Sequence, residues 1–335
     1  MKKLTWLTML SAMLLPGCAT MEQLNAPWRY GYIDKAGSMA IAPRYESAGS
    51  FSGGLARVKL NSQWGYIDSS GRTVIEPSFQ DAKDFSEKRA RVRVGEAWGY
   101  IDESGAMVIP ARFSDAKNFS DGLARVAIGG KWGYVDNHGN TAIAARFESA
   151  RGFSENRARV KLGGQWSYID RTGKIVIEPG FAKVRNFSEG RARVFSDEQW
   201  GYIDKTGKLV IKPRFPNARD FSGGRARVQI NDQWGFIDNN GEVTIEARFA
   251  QAGNFVEGRA KVKLDGSWGY VDEIGALIIA PRYTEARDFS EGLARVKVEN
   301  KWGYIDASGA MVIEARFARA QEFSDGKAKV KLNTR

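Results

Sequence analysis

The stretch Gln199-Trp-Gly-Tyr-Ile-Asp-Lys-Thr-Gly-Lys208 (QWGYIDKTGK) recurs along the chain with little change. It returns as KWGYIDASGA at 301–310 and as QWGYIDSSGR at 63–72. Successive copies place a tryptophan every 34 residues, at Trp64, Trp98, Trp132, Trp166, Trp200, Trp234, Trp268 and Trp302. One further step back reaches Tyr30, so the sequence holds nine units. This period predicts a repeat architecture in which each unit buries its surface against its neighbours.

Comparison of the nine units with one another shows which positions the fold requires. The invariant columns are those that begin at Asp34, Gly37, Ile41, Phe51, Ala56 and Val58. This pattern resembles the bacterial WG-repeat family, and the resemblance covers residues 28–332. It implies an all-β repeat fold and brings no established activity.

Each unit has the signals of a three-stranded antiparallel meander. The strands are predicted at Leu55–Leu60, Trp64–Asp68 and Thr73–Glu76. A two-residue turn at Asn61-Ser62 joins the first pair, and Asp68-Ser-Ser-Gly71 has the residues of a type I turn followed by a glycine. A longer loop through Phe79 and Phe85 leads to the next unit.

The turn positions predict the register and the two faces of a unit. Arg57 is expected opposite Tyr66, Val58 opposite Gly65, and Gly65 opposite Ile75. One face then carries Trp64, Tyr66, Arg57, Lys59 and Val74, and the other carries Val58, Ala56, Gly65, Ile67 and Ile75. We expect the tryptophan of one unit to pack on the small aliphatic face of the next, where the glycine makes room. Arg57 is expected to pair with Asp68, and an anion-binding stripe along the row from Arg57 to Lys329 is the alternative.

The predicted fold is an all-β tandem array of nine such units, stacked face to face as an open twisted solenoid. A closed propeller-like ring is the alternative, since the first strand at 29–34 and the last at 327–332 are of types that pair elsewhere. Nine units exceed the four to eight blades usual in propellers. Tyr30 in place of tryptophan and the lysine-rich segment 327–331 are typical of capped ends, which favours the open array.

The N-terminus has the pattern of an export signal. Met1-Lys-Lys3 precedes the apolar run 4–15, and Leu15-Pro-Gly-Cys18 resembles a bacterial lipobox, with Pro16 as its unusual residue. This resemblance implies a signal peptide at 1–17, a lipidated Cys18, an anchor linker at 18–27 and the repeats at 28–335. By resemblance to lipoprotein sorting, Ala19 after the cysteine favours the outer membrane, on the periplasmic face or the cell surface. A spare buried thiol is the alternative for this single cysteine.

The charge balance is basic. The formal net charge of +11 falls to +9 without residues 1–17, because that segment contains Lys2 and Lys3 and no acid. Such a surface favours anionic partners such as phospholipid head groups, lipopolysaccharide or acidic glycans, although solubility alone also explains it. Export argues against nucleic acid.

One row of arginines is the candidate binding surface, because it lies outside the strict core pattern. Its members are Arg44, Arg112, Arg146, Arg214, Arg248, Arg282 and Arg316. A solvated edge is the alternative for this row. The Trp and Tyr rows have the flat faces of carbohydrate platforms, although their strict spacing favours a packing role.

The composition gives little support for catalysis. His138 is the only histidine and lies in a turn, which excludes a Ser-His-Asp triad and a histidine-rich metal site. Each Asp-x-x-Gly loop offers one carboxylate, whereas calcium takes six to eight oxygens. Repeated acids are equivalent to one another, while a catalytic pair is normally unique. We therefore predict no catalytic residue, no metal and no cofactor.

These observations predict a non-enzymatic envelope lipoprotein whose basic repeat surface binds or scaffolds other envelope components. The expected partners are envelope proteins or anionic glycan and lipid head groups, besides the membrane that holds the anchor. The alternative is a glycan-binding module for peptidoglycan or lipopolysaccharide.

Overall fold

A computed structural model describes residues 28–333, which form thirty-five β-strands. The first twelve are β1 Trp28–Ile33, β2 Met39–Tyr45, β3 Ser47–Ala48, β4 Leu55–Leu60, β5 Gln63–Asp68, β6 Thr73–Phe79, β7 Asp81–Ala82, β8 Ala90–Val94, β9 Ala97–Ile101, β10 Met107–Phe113, β11 Asp115–Ser120 and β12 Leu123–Ile128. The next twelve are β13 Lys131–Val135, β14 Thr141–Phe147, β15 Ser149–Ala150, β16 Ala158–Leu162, β17 Gln165–Ile169, β18 Ile175–Ile177, β19 Lys183–Ser188, β20 Arg191–Ser196, β21 Gln199–Ile203, β22 Leu209–Phe215, β23 Ala226–Ile230 and β24 Gln233–Ile237. The last eleven are β25 Val243–Phe249, β26 Gln251–Ala252, β27 Ala260–Leu264, β28 Ser267–Val271, β29 Leu277–Tyr283, β30 Glu285–Ser290, β31 Leu293–Val298, β32 Lys301–Ile305, β33 Met311–Phe317, β34 Arg319–Ser324 and β35 Lys327–Asn333.

The strands form nine antiparallel sheets, which we call blades. Blades 2 to 9 take their strands in chain order, from β3–β6 in blade 2 to β30–β33 in blade 9. Blade 7 has three strands, β23–β25, and its first strand is reduced to the bridge between Ala218 and Val228. The other blades have four, so the predicted three-stranded unit was incomplete. The additional strand forms inside the loop predicted between Phe79 and Phe85, where Ala82 pairs with Val92.

Blade 1 joins the two ends of the repeat region. Its strand order is β2-β1-β35-β34, and β1 pairs with β35 over six residues, from Trp28 opposite Asn333 to Ile33 opposite Ala328. The predicted open solenoid is therefore wrong, and the protein is a closed nine-bladed β-propeller. The physical reason is that the two end strands are complementary hairpin partners, and pairing them removes the exposed sheet edges of an open array.

The residues predicted to cap the two ends instead complete blade 1. The ammonium groups of Lys329 and Lys331 lie 5.4 Å and 5.3 Å from the centre of the Tyr30 ring. Arg57 lies 4.9 Å from the Trp64 ring in the same manner in blade 2. Tyr30 and Lys329 therefore occupy the places that Trp64 and Arg57 hold in blade 2, and Lys331 occupies the place of Lys59.

The turn predictions are confirmed. Asn61 and Ser62 have φ values of 50° and 63°, as the two-residue hairpin requires. Gly71 has a φ of 87°, and its N–H donates to the Asp68 carbonyl oxygen at 2.9 Å. The Asp68 carboxylate accepts hydrogen bonds from the Ser70 hydroxyl and from the N–H groups of Ser70 and Arg72. These bonds, the one from the hydroxyl above all, lower the pKa of Asp68 to about 2.

The register prediction is correct for the first hairpin and wrong for the second. Arg57 lies opposite Tyr66 and Val58 opposite Gly65, as predicted. Bulges then shift the second hairpin, so that Tyr66 rather than Gly65 lies opposite Ile75. A Cβ on Gly65 would lie 2.4 Å from the Ile75 carbonyl oxygen. The glycine therefore makes room for the fourth strand of its own blade, and not for a neighbour's tryptophan.

The core lies between blades. Tyr66 and Ile75 of blade 2 are buried against blade 3 in a cluster with Ala82, Phe85, Ala90, Val92 and Ile101. The aromatic face of one blade thus packs on the small aliphatic face of the next, as predicted. Ile75, predicted on the aliphatic face, instead lies on the aromatic face with Tyr66, because the bulges shift it by one position. The central aromatic ring is that of Tyr66, which is fully buried, whereas Trp64 is half-buried at the edge of the cluster. Burial of this apolar surface is the main source of stability.

The order of strands within a blade determines which strands lie at the central axis and which lie at the outer rim. First strands of neighbouring blades contact one another, as β30 and β34 do, whereas fourth strands such as β6 have mostly exposed side chains. First strands therefore surround the central axis and fourth strands form the rim.

The two ends of the ring differ in what they carry. Because the strands are antiparallel, one end of the ring carries the hairpins between second and third strands and the connections between blades. We call this end the connection face, and the opposite end the turn face.

Candidate functional site

The column of arginines and lysines that begins at Arg57 makes contacts between neighbouring blades. The Arg57 Nε lies 2.8 Å from Asp84 Oδ1 of the next blade, and its Nη1 donates to the Ala82 carbonyl oxygen at 2.7 Å. The predicted pairing of Arg57 with Asp68 is therefore wrong. Asp68 instead caps its own turn and lies 3.0 Å from Arg72 Nε. The cause is the strongly local geometry of the turn, which directs the carboxylate back onto its own backbone.

The seven arginines predicted as a binding row also contact neighbouring blades. Arg44 Nη2 donates to the Gly71 carbonyl oxygen at 2.9 Å, and its guanidinium lies 5.1 Å from the Tyr45 ring. Arg112, Arg146, Arg214, Arg248, Arg282 and Arg316 make the same bond to the corresponding glycine. All seven side chains are exposed at the ends of fourth strands. Their use by a partner stays a prediction.

A second set of cations, at or just after the first-strand position of each blade and near the connection face, differs from blade to blade. In blades 3, 4 and 9 the cation pairs with an acid two residues earlier in the chain. These pairs are Lys83–Asp81 at 2.8 Å, Lys117–Asp115 at 2.9 Å and Arg287–Glu285 at 3.4 Å. In blades 5, 6 and 7 the acid is replaced by Ser149, Lys183 and Asn217.

We call Arg151, Lys183, Arg185 and Arg219 the arginine arc. Within residues 28–333, no carboxylate oxygen lies within 4.0 Å of a charged nitrogen of these four side chains. Three neighbouring blades therefore present positive charge that an adjacent acid compensates in blades 3, 4 and 9. The sequence comparison missed this site, although the missing acid two residues before the cation is visible in the repeat columns.

Interior arginines increase the positive charge behind the arc. Burial, followed by the charges of Arg185 and Arg151, lowers the pKa of Arg159 to about 10. Burial and the charge of Arg193 lower the pKa of Arg219. Burial is the largest cause of both shifts, and repulsion between neighbouring cations adds to it. A bound anion would relieve the part that is due to repulsion.

Aromatic rings hold the arc in place. The guanidinium carbons of Arg151, Arg185 and Arg219 lie 5.4, 5.5 and 5.3 Å from the ring centres of Trp166, Trp200 and Trp234. Lys183 lies 4.6 Å from the Phe195 ring. Cation–π contacts of this kind fix the side chains without neutralising them. The arc is therefore preorganised for an anion.

The repeat is shared with a known family. The family model described as WG containing repeat matches residues 30–64, 64–96, 98–132, 132–166, 166–198, 200–234, 234–268, 268–302 and 302–333. The chain belongs to the WG-containing repeat family. Comparison of this WG-repeat protein with curated proteins found no match.

Solved structures show the likeness of the fold alone. A crystal structure described as the eukaryotic initiation factor matches with a TM-score of 0.61 and 13% identity, covering 91% of this chain and 98% of that one. BamB from Moraxella catarrhalis matches with a TM-score of 0.43 and 12% identity, over 86% of this chain and 97% of BamB. The dihydro-heme d1 dehydrogenase NirN matches with a TM-score of 0.43 and 12% identity, over 95% of this chain and 76% of NirN.

The turn face of the WG-repeat ring carries acids instead. They occupy the same turn position in seven blades, as Glu87, Asp121, Glu155, Glu189, Glu257, Glu291 and Asp325. Glu155 Oε2, for example, accepts a hydrogen bond from the Gly190 N–H of the next blade at 3.0 Å. These acids make the turn face less favourable to an anion than the arc, although Lys35 and Lys205 pair with two of them.

Other residues singled out in the sequence add no further site. His138 is exposed in a turn, and its N–H donates to Asp136 Oδ1 at 2.9 Å. Among the described residues, no three His, Cys, Asp or Glu side chains are grouped so as to hold a metal ion. The same part of the chain contains no helix with the length and apolar character of a membrane span. Cys18 and the whole of residues 1–27 lie outside the described residues.

Proposed function

We propose that this WG-repeat protein is a non-enzymatic scaffold of the bacterial envelope, whose arginine arc binds anionic groups of other envelope components. It is held at the outer membrane by a lipid on Cys18. The single observation that carries the proposal is the absence of a carboxylate beside the four arc cations in residues 28–333. The nine-bladed repeat ring itself indicates a binding or scaffold role.

The position of the missing acids supports an anion site. Blades 3, 4 and 9 show that an acid two residues before the cation fits this fold, so its absence from three consecutive blades is not imposed by packing. Planar guanidinium groups bind phosphate and carboxylate groups in bidentate fashion. We therefore expect phosphorylated lipid head groups or acidic glycans as ligands.

The site offers binding groups and lacks the usual parts of a catalytic centre. The arc consists of cations on aromatic rings, and the nearby acid Asp220 is paired with Arg193 at 2.6 Å. General base catalysis requires a group that takes up a proton near neutral pH, and guanidinium and ammonium groups do not. We accordingly propose a role without catalysis, cofactor or metal.

The proposal is tested by binding to membranes of defined charge. Purified protein with Cys18→Ser, which cannot be acylated, is sedimented with phosphatidylcholine vesicles that contain or lack phosphatidylglycerol, and separately with lipopolysaccharide. The test variant also carries glutamine at all four arc positions. The control variant carries glutamine at the exposed lysines Lys131, Lys208, Lys212 and Lys301, so its net charge is the same.

We expect the unmodified arc to bind lipopolysaccharide or anionic vesicles, and to release them as the salt concentration rises. Loss of four charges should weaken this binding about a hundredfold or more, at ~1 kcal/mol per charge. The control variant should retain most of it. If the two variants lost binding affinity equally, only the net charge would matter, and the arginine arc would be rejected as a binding site.

A further inference from the structure

Blade 5 differs from the other eight blades in its fourth strand. β18 has three residues, Ile175–Ile177, whereas every other fourth strand has seven. In the eight other blades the tryptophan column pairs with an aromatic residue at the end of the fourth strand, as Trp132 pairs with Phe147. The corresponding pair of Trp166 and Phe181 is missing from the ladder. The outer edge of blade 5 is therefore open.

Ser167 explains the opening. It is the only residue with a side chain in the glycine column that follows the tryptophan. A Cβ at Gly133 would lie 2.6 Å from the Ile143 carbonyl oxygen, and one at Gly201 would lie 2.4 Å from that of Ile211. Such contacts are impossible, so a fourth strand beside a serine has to move away.

A second change in the same blade uncovers an aromatic ring. Gly180 stands where seven blades have an arginine. In blade 4 the Arg146 guanidinium lies 5.1 Å from the Phe147 ring and covers it. No cation of the described residues lies within 6 Å of the Phe181 ring centre, and Phe181 is half-buried where Phe147 is fully buried. One face of Phe181 is therefore open.

The opening is a groove of about 420 Å³ between the segments 164–166 and 179–182. Its lining residues include Gln165, Trp166, Pro179, Gly180 and Phe181. This volume is within the range of small-ligand sites and suits one or two sugar rings. Residues 178–182 are outside any strand. The Ala182 N–H donates to the Phe195 carbonyl oxygen and Pro179 has no N–H, so the carbonyl oxygens of this segment and the N–H groups of Gly180 and Phe181 are the ones offered to hydroxyl groups of a ligand.

We propose that this groove binds one pyranose residue of an acidic glycan. The sugar stacks its C–H face on the Phe181 ring, because polarised C–H groups meet the negative face of an aromatic ring favourably. Its hydroxyl groups bind Gln165 and the backbone of 178–182. This inference rests on the proposed function and deepens it, since it selects a glycan rather than a lipid as the ligand of the arc.

The charges around the groove orient the sugar. Arg151, a member of the arc, lies 5.4 Å from the ring of Trp166, which lines the groove. The carboxylate of Glu148 accepts a hydrogen bond at 3.2 Å from the N–H of Gly164, another lining residue. An acidic substituent therefore points toward Arg151 and away from Glu148. The glycan chain continues from there along the arc.

The test replaces the two unusual residues of blade 5 with those found in most other blades. A Ser167→Gly, Gly180→Arg variant restores the consensus residues, so it should fold at least as well while closing the groove. Phe181→Ala removes the platform. Ser78→Arg in blade 2 adds the same arginine to a blade whose fourth strand is intact, and serves as the control. Binding of trigalacturonate, of lipopolysaccharide core oligosaccharide and of a disaccharide muropeptide is measured by calorimetry, with neutral maltotriose as the reference.

We expect at least one acidic probe to bind more tightly than maltotriose. This binding should be lost in the closed variant, reduced about tenfold by Phe181→Ala, and unchanged by Ser78→Arg. Equal binding to the open and closed forms, or no binding of any probe by the unmodified protein, would overturn the inference. Glycan binding that survives in the closed variant and is lost only without the arc would retain the proposed function and reject the groove.

Discussion

The hydroxyl group of Ser324 donates a 2.6 Å hydrogen bond to the carbonyl oxygen of Phe51, although the two residues are 273 positions apart. The same bond links a serine to the phenylalanine of the next unit at seven other blade boundaries. The donors are Ser52, Ser86, Ser120, Ser154, Ser188, Ser222 and Ser290. Val256 interrupts the series. The boundary between the two ends of the repeat region is thus built like the internal ones.

Ring closure predicts that the terminal bond contributes as much as an internal one. Ser324→Ala and Ser188→Ala should each lower the free energy of unfolding by about 0.5–1.5 kcal/mol, the usual contribution of a hydrogen bond. Denaturant unfolding of the two variants measures the difference. An open array would lose stability in Ser188→Ala and none in Ser324→Ala.

The glycine column predicts a position-specific cost of a single side chain. Gly133→Ser places a Cβ against the Ile143 carbonyl oxygen, and should destabilise blade 4 by about 1–3 kcal/mol. Hydrogen exchange should increase in residues 141–147 of its fourth strand. Asn137→Ala, at an exposed turn position, should change the stability by no more than about 0.5 kcal/mol. Similar effects of the two changes would refute the assigned role of the glycine.

The turn aspartates predict a loss of stability in acid. The folded state lowers the pKa of Asp68 to about 2, through hydrogen bonds from the Ser70 hydroxyl and from the neighbouring backbone. The pKa values of Asp102, Asp170, Asp204 and Asp306 are lowered in the same way. A lowered pKa gives stability above about pH 4, the unfolded value, which is lost as the pH falls toward 2.

The melting temperature should therefore fall between about pH 4 and pH 2. Asp68→Asn should be less stable than the unmodified protein at pH 7, and the gap should narrow across this acidic window. Thermal scans at several pH values provide the measurement. A gap that widens in acid would contradict the role assigned to the carboxylate.

The exposed arginine row predicts a loss of stability when one member is removed. Arg146 donates to the Gly173 carbonyl oxygen at 2.7 Å and covers the Phe147 ring. Arg146→Ala should lower the free energy of unfolding by about 1 kcal/mol, because solvent weakens a hydrogen bond from an exposed charged group. An unchanged unfolding midpoint would leave the row without a structural role.

The repeat columns predicted the local structure well, because turns and hairpins depend on neighbouring residues. The positive φ values of Asn61 and Ser62 and the capping role of Asp68 follow from residue type alone. The packing of aromatic on aliphatic faces also followed from the alternation of side chains along Leu55–Leu60 and Trp64–Asp68. In these cases the residue types and their alternation along the chain are enough to determine the local structure.

Other features depend on geometry that alternation does not specify. A bulge shifted Ile75 by one position and turned Gly65 toward its own fourth strand. Closure depends on the accumulated rotation of nine blades, for which no single residue is decisive. The groove of blade 5 follows from Ser167, whose effect is evident only once the distance to the fourth strand is known.

The arginine arc is most directly tested by supplying the acids that it lacks. Ser149→Asp and Asn217→Asp place a carboxylate two residues before Arg151 and Arg219, as Asp81 stands before Lys83. A control variant with Asn137→Asp and Ala307→Asp adds the same charge at exposed positions of the turn face. The measurement is the affinity of each variant for lipopolysaccharide or anionic vesicles. We predict a loss of roughly tenfold or more in the arc variant, at ~1 kcal/mol per compensated charge, and little change in the control. Equal affinity in the arc variant and the unmodified protein would contradict the account.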